Sequence, residues 1–238
     1  MSDSLVIIPT YNEIENIEQM VRTVFGLPKA FHVLIVDDGS PDGTADAVKR
    51  LQQEFPEALH LMQRKGKLGL GTAYIAGFKW ALERHYEYIF EMDCDFSHDP
   101  KDLVRLYEGC TQKGGDVAVG SRYTKGGQVE NWPWHRLFIS KGAGIYVNIV
   151  LGLGVQDATA GFVCYRRAVL QKLNLDGIRF IGYAFQIEMK YKSKKAGFKI
   201  VEVPILFKDR LYGVSKMSMN IFKEAFVGVL QMRFSSEK

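Results

Sequence analysis

The 238-residue chain holds only three cysteines, Cys94, Cys110 and Cys164, none of them in a CxxC pair. An odd, widely spaced set excludes a disulfide or zinc framework and suits a reducing, cytoplasmic compartment. Charge of neither sign dominates: 31 Lys and Arg stand against 27 Asp and Glu, a net charge of +4, so nucleic acid is not an expected partner. The N-terminus has no basic n-region or apolar h-region, and no signal peptide is expected. Long hydrophobic runs are missing too. The best, 137–156, is interrupted by Lys141 and Asn148 and loosened by Gly142, Gly144, Gly152 and Gly154. Its charge-free apolar part is about 14 residues, short of the ~20 needed to span a bilayer. GxGxxG is also absent, because the first apolar run leads into PTYNE. Gly69-Leu70-Gly71 lacks the third glycine and the ribose carboxylate, and reads as a helix start with close packing. Gly66-Lys67 is followed by Leu68, which excludes a Walker A loop. Without repeats, low-complexity segments or a linker, residues 1–238 are expected to form one domain.

What is present is 47% apolar residues, enough for a sizeable core. Apolar runs at 5–9, 33–36, 59–63, 88–95 and 116–122 read as strands, separated by amphipathic stretches at 13–25, 44–55, 71–85 and 100–113. That alternation predicts an α/β fold with a mostly parallel sheet covered on both faces. The second half is less regular: a loop at 126–133, a helix over 134–151, strands at 161–165 and 200–207 around a helix at 185–195, a loop at 209–219 and a last helix at 220–234. In that helix Ile221, Phe222, Ala225, Phe226, Val229 and Leu230 form a stripe, which suits either core packing or a membrane surface. Arg136 and Lys141 beside Trp132, Trp134 and Phe138 suit a lipid headgroup layer.

Ligands of such sheets bind beyond the carboxyl ends of the strands, where Thr10-Tyr11-Asn12-Glu13, Asp37-Asp38 and Asp93-Cys94-Asp95 all fall. On an extended backbone Asp93 and Asp95 leave the same face, and two like charges raise each other's pKa unless a cation lies between them. Two hard oxygen ligands suit Mg2+ or Mn2+, which fills its remaining positions with substrate phosphates. Ser97 follows on the same side if the chain stays extended. Asp99 reads as a helix cap and Asp42 as a turn or cap residue. Cys94 points to the opposite face, with only its backbone available to a nucleotide. Asp38 and Glu13 suit a ribose or base edge, and Tyr11 a stack on the base. Arg136 and Ser140, four apart on a helix, share a face and can grip one phosphate. Arg210 and Lys216 lie in RLYGVSK, which reads as a phosphate-binding lid.

PTYNE, VDDGSPDGT at 36–44, GLGTAY at 69–74, MDCDFSHDP at 92–100 and GSRY at 120–123 together resemble glycosyltransferase family 2. DATAGFVCYRR at 157–167, GYAFQIEMKYK at 182–192 and VEVPILFKDRLYGVSKM at 201–217 resemble its dolichyl- or polyprenyl-phosphate mannose synthase branch. The resemblance implies a GT-A, Rossmann-like fold with C-terminal amphipathic helices, its nucleotide half at about 1–123 and its acceptor half at about 124–238. It implies inverting transfer of mannose from GDP-mannose to a polyprenyl monophosphate. Pro9, Tyr11, Glu13, Val36 and Asp38 match the nucleotide contacts. Asp93, Cys94 and Asp95 match the diphosphate and metal segment, with Ser97 where some relatives have Gln. Arg122, Arg136 and Ser140 match the acceptor-phosphate site, and Arg210 and Lys216 a loop over the donor. Asp95, Arg122 and Arg136 are then the catalytic set. Peripheral attachment to the cytoplasmic face of a membrane follows, with or without a membrane partner subunit.

A phosphomonoester is largely a dianion at neutral pH, so this reaction needs no general base. Asp157→Asn is therefore expected to retain most activity. Three alternatives stay open: another nucleotide sugar such as UDP-glucose, a hydroxyl acceptor with Asp157 as base, or a nucleotide-sugar-binding scaffold subunit. The QxxRW motif and membrane helices of the family's polysaccharide synthases are absent.

Overall fold

The computed structural model describes residues 2–182, 184–209 and 219–234, the last stretch by backbone alone as far as residue 225. The first half alternates β1 (Ser4–Thr10), α1 (Ile17–Phe25), β2 (His32–Asp37), α2 (Thr44–Glu54), β3 (Leu59–Gln63), α3 (Leu70–Leu82), β4 (Tyr88–Glu91), α4 (Asp102–Thr111) and β5 (Val117–Ser121). The second half adds β6 (Gln128–Val129), α5 (Trp134–Leu151), β7 (Val163–Arg166), α6 (Arg167–Lys172), α7 (Ala184–Lys195), β8 (Ile200–Pro204), β9 (Leu206–Phe207) and α8 (Met219–Phe234).

Seven strands form one sheet in the order β3-β2-β1-β4-β7-β5-β8, and β6 pairs with β9 in a small second sheet. β7 runs antiparallel to both β4 and β5, while the other pairs in the large sheet are parallel. The central strands are apolar on both faces because both faces are covered. Val6, Ile8, Val33 and Ile35 enter one core with α1, α2 and α4, and their neighbours Leu5, Ile7, Leu34 and Val36 enter a second core with α3, α6 and α7. Each such fully buried side chain contributes roughly 1.5–3 kcal/mol. A third cluster joins Val147 and Leu151 of α5 to Ile187 and Tyr191 of α7 and Val229 and Met232 of α8.

Several expected boundaries move. The fourth strand stops at Glu91 rather than Asp95, because the chain bends at Cys94–Ser97. There Phe96 takes a left-handed φ of 57° and Asp95 Oδ1 accepts from the Ser97 N–H at 3.0 Å. α1 begins at Ile17, after a turn in which the Asn16 and Ile17 N–H groups both donate to the Glu13 carbonyl. The strand expected at 200–207 is divided at Ile205, whose N–H donates to the Ser121 carbonyl. Gly69-Leu70-Gly71 does open α3 with close packing: a Cβ on Gly71 would meet the Phe185 ring at 2.8 Å.

Candidate active site

Two loops at the ends of β1 and β2 are laced together. Thr10 Oγ1 donates to Asp37 Oδ1 at 3.0 Å, and Asp37 Oδ2 accepts from the Gly39 and Ser40 N–H groups. Across the gap, the N–H groups of Asn12, Glu13 and Ile14 donate to Ser40 Oγ, Thr44 Oγ1 and Asp42 Oδ2. Asp42 also accepts from the Thr44 N–H, which makes it the turn residue expected. Pro9 and Val36 lie side by side in register just before the strand ends. Asp38 accepts from Arg64 Nε at 2.6 Å, and Arg64 Nη1 donates to Thr72 Oγ1 at 2.8 Å. Glu13 accepts from Asn16 Nδ2, and Lys67 Nζ lies 5.2 Å above the Tyr11 ring. Arg64 and Lys67 were not foreseen, although both follow β3 at the same end of the sheet.

Beyond β4, Met92 and Cys94 pack into the core on the side of α1, α2 and α4, and burial pushes the Cys94 thiol well up, unsuited to a nucleophile. Asp93 accepts from the fully buried Tyr74 hydroxyl at 3.4 Å. Because the chain bends after Asp95, Ser97 does not continue on one extended side with the two aspartates. It is buried, and its carbonyl accepts from the Lys208 N–H at 3.1 Å. His98 next to it forms an isolated antiparallel bridge with Phe207, and its ring packs on Phe162 and Phe207 at centroid distances of 4.9 and 5.2 Å. Burial pulls this imidazole down to about 4, against the charge of Asp95. The segment carrying the carboxylates is thereby tied to β9. Asp99 accepts from the Lys101 N–H in the turn ahead of α4 and is not the cap expected: the helix starts at Asp102, and Lys101 holds the N-cap position without a side-chain cap.

The acceptor side is built on Arg122, just past β5. Its Nε and Nη2 donate to the two Asp157 oxygens at 2.7 and 2.6 Å, and its backbone N–H donates to Asp157 Oδ2. Asp157 is 1% exposed. Burial alone would raise its pKa, but the Arg122 charge and hydrogen bonds hold the carboxyl below the usual range. Arg136, on the first turn of α5, stacks on Trp132 at 3.9 Å and reaches Asp209 at 3.4 Å. Ser140 Oγ accepts from the Tyr123 hydroxyl at 2.7 Å. Trp132 links the two arginines, since Arg122 Cζ lies 5.4 Å from the same ring. Arg210 and Lys216 lie outside the described residues.

Beneath both halves runs a buried polar chain that sequence reasoning missed. Gln186 Nε2 donates to Glu91 Oε2 at 2.8 Å, and Lys190 Nζ donates to the Ala160 and Gln186 carbonyls. Burial pushes the Glu91 carboxyl up and the Lys190 ammonium down.

Among the described residues no three His, Cys, Asp or Glu side chains converge as a protein-only metal cage. Asp93 and Asp95, two residues apart, supply two hard oxygen donors. That set fits a hard divalent cation that takes one or two carboxylates and completes its shell with phosphate and water.

The chain matches the model of glycosyl transferase family 2 over residues 5–173. It is 48% identical over 228 residues to a polyprenol monophosphomannose synthase of Mycolicibacterium smegmatis, covering 96% of this chain and 86% of the relative. An undecaprenyl-phosphate mannosyltransferase of Micrococcus luteus is 45% identical over 225 residues, covering 94% and 91%. The fold is similar to a mannosyltransferase of Pyrobaculum calidifontis solved with GDP-mannose and Mn2+, with a TM-score of 0.62 at 15% identity over 98% of this chain and 70% of that one. It is also similar to the glucosyl-3-phosphoglycerate synthase of Mycobacterium tuberculosis, with a TM-score of 0.69 at 14% identity over 98% and 81%.

Proposed function

The chain belongs to glycosyl transferase family 2, and from that premise we propose that it transfers mannose from GDP-mannose to the phosphate of a polyprenyl monophosphate, with inversion. The observation that carries this reading is the buried pair of Arg122 and Asp157. A hydroxyl acceptor needs a carboxylate free to take its proton, and Asp157 has both oxygens committed to Arg122. A phosphomonoester arrives already deprotonated, with a second pKa of about 6, and needs cations to hold it.

In this reading Tyr11, Glu13 and Asp38 hold the base and ribose beside Pro9 and Val36, and the Cys94 backbone lies along the diphosphate. Arg122, Arg136 and Ser140 hold the acceptor phosphate behind the anomeric carbon, so that its oxygen attacks in line. Arg210 and Lys216 are assigned to the donor diphosphate. Asp95 and Asp93 would hold the divalent cation, Mg2+ or Mn2+, without Ser97, which the bend after Asp95 takes off their side. When bound, that ion supplies positive charge against the leaving diphosphate.

The acceptor's tail brings the enzyme to a membrane, and α5 and α8 supply a face for it. Trp134, Phe138, Ile145 and Ile149 are exposed along α5, as are Phe226 and Phe234 on α8, with Lys141 among them. No helix among the described residues is long and apolar enough to cross a membrane, so the contact we propose is peripheral, on the cytoplasmic face. The test is transfer of radiolabelled mannose from GDP-mannose to short polyprenyl phosphates. Mannolipid should form with Mg2+ or Mn2+, vanish in excess EDTA and be lost in Asp95→Ala. Full activity in EDTA would remove the metal from the mechanism, and transfer only to hydroxyl acceptors would replace the acceptor class.

A further inference from the structure

Trp132 stands at the centre of the acceptor side, yet no role in the proposed reaction falls to it. It precedes α5 and sets its indole under the Arg136 guanidinium, with the Arg136 Cζ 3.9 Å from the ring centroid. The second acceptor-side cation, Arg122, reaches the same ring at 5.4 Å. Both lie within the ~6 Å over which an aromatic face attracts a cation. The ring cannot turn freely, because Phe207 meets it edge-on at 5.3 Å and 72°. Phe207 is itself held by the bridge to His98 and lies 5.3 Å from Arg122.

The two arginines are fixed by different means. Arg122 is locked by two hydrogen bonds to a buried carboxylate. Among the described residues Arg136 has only a 3.4 Å contact to the half-exposed Asp209, too long for a firm charge-assisted bond. What orients its guanidinium is the stack. Two neighbouring donors also lack an acceptor among the described residues: Arg136 Nε and Trp132 Nε1 are both buried and without a hydrogen-bond partner. Buried donors are normally satisfied; here no hydrogen bond of these two nitrogens fixes the guanidinium, and the ring face is left to do so.

We propose that Trp132 is a positioning residue for the acceptor phosphate: its indole holds the Arg136 guanidinium beside Arg122, so that two cations meet one phosphate without having to be gathered first. The inference rests on the phosphate-acceptor reading. It adds that affinity for the acceptor, and not for the donor, depends on an aromatic ring at position 132. A flat face under the guanidinium is the requirement, so Phe should serve and Leu should not.

The test measures binding of a short water-soluble prenyl monophosphate, citronellyl phosphate, by calorimetry, together with KM values for that acceptor and for GDP-mannose. Trp132→Leu should weaken acceptor binding and raise its KM by about tenfold, the factor a desolvated stack carries, with the KM for GDP-mannose and the thermal midpoint unchanged. Trp132→Phe should restore most of the affinity. Unchanged acceptor binding in Trp132→Leu would overturn the inference, and so would Phe failing as badly as Leu. Equal losses for donor and acceptor, or a lowered thermal midpoint, would reduce Trp132 to packing and overturn it as well. If wild type binds citronellyl phosphate but transfers no mannose, the proposed reaction fails while the binding comparison still decides the role of Trp132.

Discussion

Neutralising Asp157 withdraws the charge that holds Arg122 in place, because the pair is buried and bidentate. Asp157→Asn is therefore expected to destabilise the protein by on the order of 3 kcal/mol and to lower transfer, whatever its role in proton transfer. This replaces the expectation that the variant stays active, which treated the side chain as a bystander. The pH profile discriminates instead. If Asp157 were a base, its removal would abolish the acid limb; with a phosphate acceptor, the remaining activity should still fall near the acceptor's second pKa of about 6. A second acid-sensitive feature lies at the far end of the sheet, where the Tyr86 hydroxyl is 2.8 Å from His32 Nδ1 and 3.4 Å from His60 Nε2. Burial lowers both imidazoles from the ordinary 6.5, so the unfolded chain binds protons more tightly than the folded one. Stability is then complete above about pH 6.5 and is lost as the pH falls from there toward the folded pKa values. Thermal midpoints should drop between about pH 7 and about pH 5, and less steeply in His32→Asn/His60→Asn; equal slopes would assign the drop to other groups. Which polar groups gather past the strand ends was largely legible, since Tyr11, Glu13, Asp38, Asp93, Asp95 and Arg122 stand in dense motifs just after β1, β2, β4 and β5; Arg136, on α5, stands in none. Who pairs with whom was not: Asp38 meets Arg64 across 26 residues and Arg122 meets Asp157 across 35, and no local spacing encodes that.

Helices divide sharply by what surrounds them. α7 carries Gln186, Glu188, Lys190 and Ser193, all buried, and a polarity pattern would have placed them in water. They go inside because the helix is enclosed on most sides and each finds a partner: Glu188 takes the Arg179 and Phe180 N–H groups, and Ser193 donates to the Met189 carbonyl. α5 is the reverse. Apart from the face of Val147 and Leu151, its apolar side chains stay largely outside, with Trp134 at 80%, Phe138 at 75% and Ile149 at 78% exposure. An exposed apolar stripe of this extent marks a contact surface. Phe138→Ser/Ile149→Ser should reduce flotation with anionic liposomes several-fold while leaving the thermal midpoint in place, because neither side chain packs in the core. Wild type that stays with the soluble fractions even with acceptor lipid present would refute the docking face. The side chain of Phe222, part of the stripe expected on the last helix, lies outside the described residues. Of the others Val229 is buried and Phe226 exposed, so that helix serves both the packing and the surface reading.

Across the molecule, alternating apolar and amphipathic segments made the parallel sheet foreseeable, and the polar ends of β1, β2 and β4 made its ligand edge foreseeable. The insertion of β7 was not, because a buried apolar run reads the same in either direction. Its place between β4 and β5 has a consequence for biosynthesis. While only the first 123 residues have left the ribosome, β4 and β5 have been made but the strand that lies between them has not. Each therefore presents an unpaired, apolar edge, the kind that recruits other chains. A fragment of residues 1–123 should be insoluble or bind a hydrophobic dye, and co-expression with 124–238 should rescue it; a soluble, cooperatively melting fragment would show that the missing strand is dispensable. The nascent chain thus has to wait for residues 163–166 before β4 and β5 are joined, and for residues 200–204 before the outer edge of β5 is paired.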